Sequence, residues 1–241
     1  MTTMVLVPGM WLGAQAWQDV ADKLTAAGHD VHPVTLPGVG DRAAEATAGT
    51  DLDAHVDDVI ALFDRLDLRD VVLVGHSYGG MVVSTAAGRL ADRIKRVVYV
   101  DSGPLPEGVS QFDTTAPEEQ ERTRVQVGDG FLVPPPSFDP ADMGSEMLAG
   151  LDESTLARMR SQATPHPYAS VTQPVHYTPA YASLPQTLVT CMFPAAMVQQ
   201  MIDDGHPFFA LLKGADVVEL PTGHWPMFSR PDDLAAVLGV L

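Results

Sequence analysis

A serine between two glycines is the most chemically suggestive feature of the chain, in the stretch 71–80, VVLVGHSYGG. Gly75 comes two positions before Ser77 and Gly79 two positions after it, and four strand-forming residues come before Gly75. This order predicts a strand, a sharp turn and a helix, with the serine hydroxyl exposed at the turn. The helix N-terminus would favour the negative charge that develops in acyl transfer. The pattern predicts a nucleophile, the alternative being a turn with an incidental serine.

A serine nucleophile needs a general base, and the chain has 8 histidines. His224 follows the last predicted strand, 216–220, and precedes the last predicted helix, 231–238. This loop should lie across the sheet edge from Ser77, so we predict His224 as the base. His76 lies on the wrong side of the turn for a base and is predicted to pack against or orient the pocket. No pair of histidines has a convincing metal-ligand spacing, so we predict no metal site.

The elements that must position these side chains alternate between strand and helix, which predicts an α/β fold with a mostly parallel central sheet and helices on both faces. The alternation breaks between Gly103 and Pro185, where more than half of the 20 prolines lie. We predict an inserted helical cap over residues 104–185 and a core formed by residues 1–103 and 186–241. The predicted strands are 4–7, 30–36, 71–74, 96–100, 187–190 and 216–220. The predicted helices are 14–26, 52–66, 79–89, 117–125, 154–161, 195–203, 207–212 and 231–238.

The charge balance disfavours several classes of partner. The chain has 241 residues, with 31 acidic and 14 basic side chains and a net charge of −17. Nucleic acids and anionic membranes are bound largely through Lys and Arg, so we predict neither. The sequence has no membrane-length apolar stretch and no signal-peptide pattern, and its one cysteine, Cys191, cannot form an internal disulfide. We therefore expect a cytoplasmic protein that acts on a small molecule, with a homodimer left open.

Several motifs together resemble the α/β-hydrolase superfamily, and within it the small esterase and hydroxynitrile-lyase-like branch that includes plant methylesterases. The similarity extends over nearly the whole chain. It depends on six segments: VPGMWLGAQAW, LPGVGDR, VVLVGHSYGG, VVYVDSGPLPEG, TPHPYASVTQP and LPTGHWPMFSRP. The resemblance implies a serine hydrolase that needs no cofactor, and it agrees with the position of His224.

The acid that should orient His224 is the least certain member of the site. In most of the superfamily an Asp follows the penultimate strand, but here that strand is followed by Cys191, and Pro194 stands where the Asp would be. Asp101 directly follows the predicted strand 96–100, and some superfamily members carry the acid there. We predict Asp101 as the acid. The alternatives are Asp203 or Asp204, most of a helix further on, and no carboxylate at all.

The resemblance also implies an oxyanion site built from backbone N–H groups. The residue after the nucleophile, Tyr78, would donate one, and Met10 in the loop after the first strand would donate the other. Many relatives have His-Gly in that loop, whereas this chain has Pro8-Gly9. Four side chains are predicted to contact substrate: Trp11, His76, Tyr168 and Trp225.

The predicted function is hydrolysis of a small to medium apolar carboxylic ester, lactone or thioester through an acyl-enzyme. One alternative is a hydroxynitrile-lyase-type enzyme that uses the same groups for acid–base chemistry. In such relatives a Lys follows the catalytic histidine, whereas here Trp225 follows His224 and residues 104–185 contain no Lys. A further alternative is a ligand-binding receptor on the same fold with weak or lost catalysis. Fold resemblance does not choose between substrates.

Overall fold

The computed structural model describes all residues, 1–241, and its centre is one parallel sheet. The chain forms eight strands: β1 (Thr3–Val7), β2 (Asp30–Pro33), β3 (Val71–His76), β4 (Ile94–Val100), β5 (Leu132–Val133), β6 (His166–Pro167), β7 (Gln186–Thr190) and β8 (Asp216–Glu219). Six of them form the central sheet in the order β2-β1-β3-β4-β7-β8, and every neighbouring pair is parallel. The carboxyl ends of these strands therefore meet at one edge, which is where ligands bind in open α/β sheets.

Ten helices surround the sheet: α1 (Gln18–Ala26), α2 (Leu52–Leu66), α3 (Gly79–Arg89), α4 (Pro117–Val127), α5 (Pro140–Met143), α6 (Glu153–Gln162), α7 (Tyr168–Thr172), α8 (Ala195–Asp203), α9 (Pro226–Ser229) and α10 (Pro231–Gly239). The Asp51 carboxylate caps α2 by accepting the Ala54 N–H, a contact typical of helix N-termini. None of the helices combines the length and apolar character that a membrane crossing requires.

The core lies on both faces of the sheet because the side chains of β3 alternate between them. Val71 and Leu73 join an apolar cluster with α2 and α3, whereas Val72 and Val74 join a second cluster with α1 and α10. All four side chains are fully buried, as expected for a central parallel strand. The predicted α/β fold, with helices on both faces of a parallel sheet, is confirmed.

Three predicted elements differ in extent or type from the sequence pattern. The second strand stops at Pro33 rather than at residue 36, because Thr35 forms hydrogen bonds with segments outside the sheet. Its hydroxyl oxygen accepts the Ala14 N–H, and its carbonyl oxygen accepts an N–H of the Arg42 guanidinium. The predicted helix 14–26 begins as a 3-10 turn, Ala14–Trp17, before α1. The predicted helix over residues 207–212 is likewise a 3-10 segment, Pro207–Leu212.

The predicted cap segment, residues 104–185, lies between β4 and β7 in the chain and contains α4, α5, α6 and α7. The helices predicted near residues 117–125 and 154–161 are present as α4 and α6. The segment also contains an antiparallel pair, β5 and β6, which we call the cap ribbon. Contacts with the core include the hydrogen bond from the Gly40 N–H to the Thr164 hydroxyl and the packing of α7 against α2.

Candidate active site

Ser77 lies at the turn between β3 and α3, with its backbone in the left-handed region at a φ of 50°. The two flanking glycines are required by close backbone contacts. A Cβ atom at Gly75 would collide with the Gly79 carbonyl, and one at Gly79 would lie 2.7 Å from the Pro8 carbonyl oxygen. The turn therefore has the compact geometry that presents a serine hydroxyl at the sheet edge.

Asp101 and His224 form a direct pair at the same edge. The Nδ1 atom of His224 lies 2.6 Å from Oδ2 of Asp101, although the two residues are 123 positions apart. A carboxylate can only accept here, so Nδ1 carries the proton and donates it, which leaves Nε2 as a proton acceptor. This is the tautomer that a general base requires.

The second carboxylate oxygen of Asp101 is held by backbone groups. Oδ1 accepts the N–H of Cys191 at 3.1 Å and the N–H of Met192 at 3.3 Å. Burial favours the neutral acid, but the hydrogen bonds from His224 and Cys191 outweigh it and hold the pKa of Asp101 below its usual value. The carboxylate is thus ionised beside the imidazole.

These contacts explain why the turn after β7 has no acid of its own. The turn that follows Thr190 supplies two N–H donors, and the carboxylate they bind arrives from the end of the neighbouring strand β4. The alternative acids lie elsewhere. The Asp203 carboxylate accepts a hydrogen bond from the side-chain amide of Gln199 on the exposed surface of α8, and Asp204 directly follows that helix.

The loop that bears His224 is fixed from two sides. The His224 N–H donates to the Met147 carbonyl of the cap segment at 2.8 Å. On the other side, Nε2 of His76 donates to the His224 carbonyl oxygen at 2.7 Å. Burial lowers the pKa of His76 to about 3, so its ring is neutral. His76 is 1% exposed and supports the histidine loop, and its predicted contact with substrate stays a prediction.

The loop after β1 passes close to the nucleophile. A Cβ atom at Gly9 would lie 3.0 Å from the Ser77 Cβ, so only glycine permits this approach. Met10 follows directly, and Tyr78 follows Ser77 on the other side. Gly9 and Ser77 are thus in close contact, and each of the two predicted oxyanion donors, the N–H groups of Met10 and Tyr78, belongs to the next residue in the chain.

No hydrogen bond joins the Ser77 hydroxyl to His224 in this structure. Its backbone carbonyl is engaged instead, since it accepts the Ser102 hydroxyl at 2.6 Å. Hydrogen bonds between catalytic groups are often long or misaligned without substrate and tighten when substrate binds. Ser77 is therefore grouped with the Asp101–His224 pair because all three residues lie at the same edge of the sheet, and not because of a hydrogen bond between Ser77 and His224.

The remaining predicted substrate contacts lie in different surroundings. Tyr168 is half-buried and packs edge-on against Phe112, with ring centres 5.5 Å apart. Trp11 is also half-buried and bonds to the cap segment. Trp225 is 4% exposed and packs against Phe138 in the second core cluster, and its predicted contact with substrate stays a prediction.

Two further features near the site were not found from the sequence. A pocket of about 230 Å³ adjoins Asp101 and Ser102, and its walls include the exposed aromatic rings of Phe193 and Phe208. Gln111 donates its amide N–H to the Met10 sulfur at 3.4 Å. No three His, Cys, Asp or Glu side chains are grouped in a way that could hold a metal ion. Neither the pocket nor the contact between Gln111 and Met10 has a sequence motif that would have revealed it.

Comparison with known proteins agrees with this fold. The family model described as the alpha/beta hydrolase family matches residues 4–237. The chain belongs to the alpha/beta hydrolase family. It is 31% identical to the carbendazim hydrolyzing esterase of Nocardioides sp. (strain SG-4G), over the whole of both chains. It is also 27% identical to the putative methylesterase 13, chloroplastic, of Arabidopsis thaliana, over 97% of this chain but 54% of that protein.

Solved structures show the same fold. An extracellular alpha/beta-hydrolase from a Paenibacillus species, described as homologous to tobacco salicylic acid binding protein 2, superposes with a TM-score of 0.80. It is 24% identical and covers 99% of this chain and 98% of its own. The Arabidopsis methylesterase MES16 superposes with a TM-score of 0.72 at 20% identity, covering 99% and 97%. The esterase relatives confirm the prediction of a hydrolase of carboxylic esters, and of the methylesterase-like branch.

Proposed function

We propose that this hydrolase is a serine esterase, with Ser77 as nucleophile, His224 as base and Asp101 as acid. The observation that carries the proposal is the 2.6 Å bond between His224 Nδ1 and Asp101 Oδ2 at the sheet edge where the half-buried Ser77 lies. The bond gives the imidazole an acceptor at Nε2 and a carboxylate to stabilise its protonated form. A receptor that had lost catalysis would have no need of this pair.

In the proposed reaction, the Ser77 Oγ attacks the ester carbonyl carbon while His224 Nε2 takes the hydroxyl proton. The carbonyl oxygen becomes an oxyanion and accepts hydrogen bonds from the N–H groups of Met10 and Tyr78. His224 then gives its proton to the departing alkoxide, and the alcohol leaves. A water deprotonated by His224 Nε2 then attacks the acyl-enzyme carbonyl carbon. The bond from that carbon to Ser77 Oγ breaks, His224 returns the proton to Oγ, and the carboxylic acid leaves.

We further propose a small to medium apolar ester as substrate, with the cap segment, residues 104–185, covering it. Half-buried apolar side chains on both sides of the site support this choice: Met10 and Trp11 from the core, and Phe112 and Tyr168 from the cap segment. One relative is named a carbendazim hydrolyzing esterase and another a putative methylesterase, which supports an ester as the substrate.

The lyase alternative lacks support from the side chains near the base. The chain has three lysines, Lys23, Lys95 and Lys213, and none lies in the cap segment. The residue after His224 is the buried Trp225. No ammonium group is therefore placed next to the imidazole to stabilise a cyanide leaving group.

The test compares wild type with Ser77→Ala on p-nitrophenyl esters of two to ten acyl carbons. We expect the variant to lose at least 10³-fold in kcat, because the acyl-enzyme cannot form. A fluorophosphonate probe should label wild type on the Ser77 peptide alone. Ser84→Ala, on the same helix, is the matched control, since its hydroxyl bonds only the Met81 carbonyl. Absence of both turnover and labelling in wild type would refute the serine mechanism.

A further inference from the structure

The cap segment holds Trp11, the residue after the proposed oxyanion donor Met10, by three hydrogen bonds. The Trp11 N–H donates to Nδ1 of His166 at 3.3 Å, and its carbonyl accepts the Thr164 N–H at 3.0 Å. Its indole N–H donates to the Val133 carbonyl at 3.3 Å. His166 and Val133 are paired residues of the cap ribbon. Every polar group of this oxyanion-loop residue is therefore bound to the cap segment.

The backbone of Trp11 needs this support because its φ is 65°, in the left-handed region that non-glycine residues seldom occupy. Such a conformation persists only where surrounding contacts impose it. The contacts that hold Trp11 in this conformation come from the cap segment. Among them, only the hydrogen bond from the Trp11 N–H to His166 involves a side chain of the cap segment, since the other two involve backbone groups of Val133 and Thr164.

His166 can accept that bond in only one tautomer. Because the Trp11 N–H donates to Nδ1, the ring proton must be on Nε2, which lies 3.0 Å from the Ser170 hydroxyl oxygen. The Ser170 hydroxyl in turn donates to the Pro167 carbonyl at 2.7 Å. His166 is completely buried, and burial with the nearby His55 lowers its pKa well below the usual value, so the ring stays a neutral acceptor.

The same imidazole packs against Tyr78, the other proposed oxyanion donor. The two rings meet edge to face with their centres 4.8 Å apart. The Tyr78 hydroxyl donates to Nδ1 of His55 at 2.7 Å, and Nε2 of His55 donates to the Pro37 carbonyl at 2.9 Å. His166 thus contacts the segments of both backbone donors, although it comes from the cap segment.

We propose that His166 is a positioning residue that fixes the oxyanion site by holding the Met10–Trp11 loop and the Tyr78 ring in register. The inference rests on the proposed serine mechanism, since it assigns the role of the same two N–H donors. It makes the cap segment a structural part of the catalytic site as well as a cover. The function of His166 requires the acceptor at its δ position, which asparagine retains and leucine lacks.

The decisive measurement is kcat and KM for p-nitrophenyl butyrate with His166→Leu and His166→Asn. We expect leucine to lower kcat by about 10- to 100-fold with KM changed less than threefold, because a misplaced donor weakens only the transition state. Asparagine should restore kcat to within about threefold of wild type. Affinity for a trifluoromethyl ketone, whose adduct carries the oxyanion, should fall in parallel with kcat/KM in the leucine variant.

Gln173→Ala is the matched control for a loosened cap segment. It removes two hydrogen bonds between the cap segment and Asp53 of α2 without touching Trp11 or Tyr78, so kcat should stay within twofold of wild type. If His166→Leu matches wild type in kcat, or if asparagine is as defective as leucine, the positioning role is wrong. Equal loss in Gln173→Ala would also overturn it.

Ser170→Ala provides a second variant should His166→Leu fail to fold. It leaves His166 in place but removes the oxygen that fixes its tautomer, so we expect an intermediate fall in kcat at unchanged KM; wild-type kcat in a folded Ser170→Ala would contradict the proposal. The two hypotheses fail differently. If wild type neither turns over esters nor reacts with the fluorophosphonate, the serine mechanism fails; if wild type does both and His166 variants match it, the positioning role alone fails.

Discussion

At the scale of single residues, the site is marked by strained backbone. Six non-glycine residues have positive φ, and three of them are Trp11, Ser77 and Asp101. Each such conformation costs on the order of 1–3 kcal/mol and persists where the surroundings impose it. Here the surroundings are hydrogen bonds: from the cap segment to Trp11, from Ser102 to the Ser77 carbonyl, and from the turn after β7 to Asp101. Strain and support coincide at the residues proposed to carry the chemistry.

The assignment of Asp101 is tested by Asp101→Asn. The amide retains the shape but cannot hold His224 in the base tautomer, so kcat should fall by roughly 10³- to 10⁴-fold with KM little changed. Kinetics on a p-nitrophenyl ester would measure both constants. Asp203→Asn is the control, since Asp203 contacts only Gln199 on the surface of α8. A variant within tenfold of wild type would show that Asp101 is not the acid.

At the scale of elements, the sequence predicts those whose pattern is local. The six central strands, the serine turn and helices such as α2 follow from periodicity and glycine spacing, because residues 71–74 of β3 are all apolar and α2 shows one apolar face. Each strand of the cap ribbon has only two residues, which is too few to show an alternation of apolar and polar side chains in the sequence. The contacts of Asp101 with Cys191 and of His166 with Trp11 span 90 and 155 positions, so no local pattern encodes them.

One such long-range contact joins the histidine loop to the cap segment. The Gly223 N–H donates to the Ala149 carbonyl at 3.2 Å, and a Cβ atom at Gly223 would lie 2.5 Å from the Met147 carbonyl oxygen. The obstacles are backbone atoms, which cannot rotate away. The glycine therefore permits the cap segment to lie directly against the loop that bears His224.

We expect Gly223→Ala to separate these segments and displace His224. The variant should lose about 1–3 kcal/mol of stability, a fall in Tm of roughly 2–10 °C, and at least about tenfold in kcat. Calorimetry and ester kinetics would measure the two effects. Gly49→Ala is the matched control, because its nearest obstacle is the Thr47 hydroxyl oxygen at 3.8 Å. Wild-type kcat in the Gly223 variant would show that this contact does not position the base.

At the scale of the whole molecule, three buried histidines link stability to pH. His55, His76 and His166 are each at most 1% exposed. Burial lowers the pKa of His55 to about 4 and that of His76 to about 3, and it lowers the pKa of His166 well below its usual value. An unfolded histidine titrates near pH 6.5, so between about pH 6.5 and 4 the unfolded chain binds more protons than the folded one. These three histidines therefore make folding less favourable as pH falls through that window.

The contribution of one histidine is measurable with His55→Gln. Between pH 6 and 5, a histidine with a folded pKa of about 4 costs the wild type about 1 kcal/mol of unfolding free energy, which the variant should not lose. The net charge of −17 acts oppositely, since acidification relieves repulsion among carboxylates, but wild type and variant share those carboxylates and the term cancels in their difference. Urea unfolding at pH 7, 6 and 5 would give the slopes. Parallel slopes for His55→Gln and wild type would mean that His55 gains its proton in the folded state, and that it cannot then accept the Tyr78 hydroxyl beside the oxyanion site.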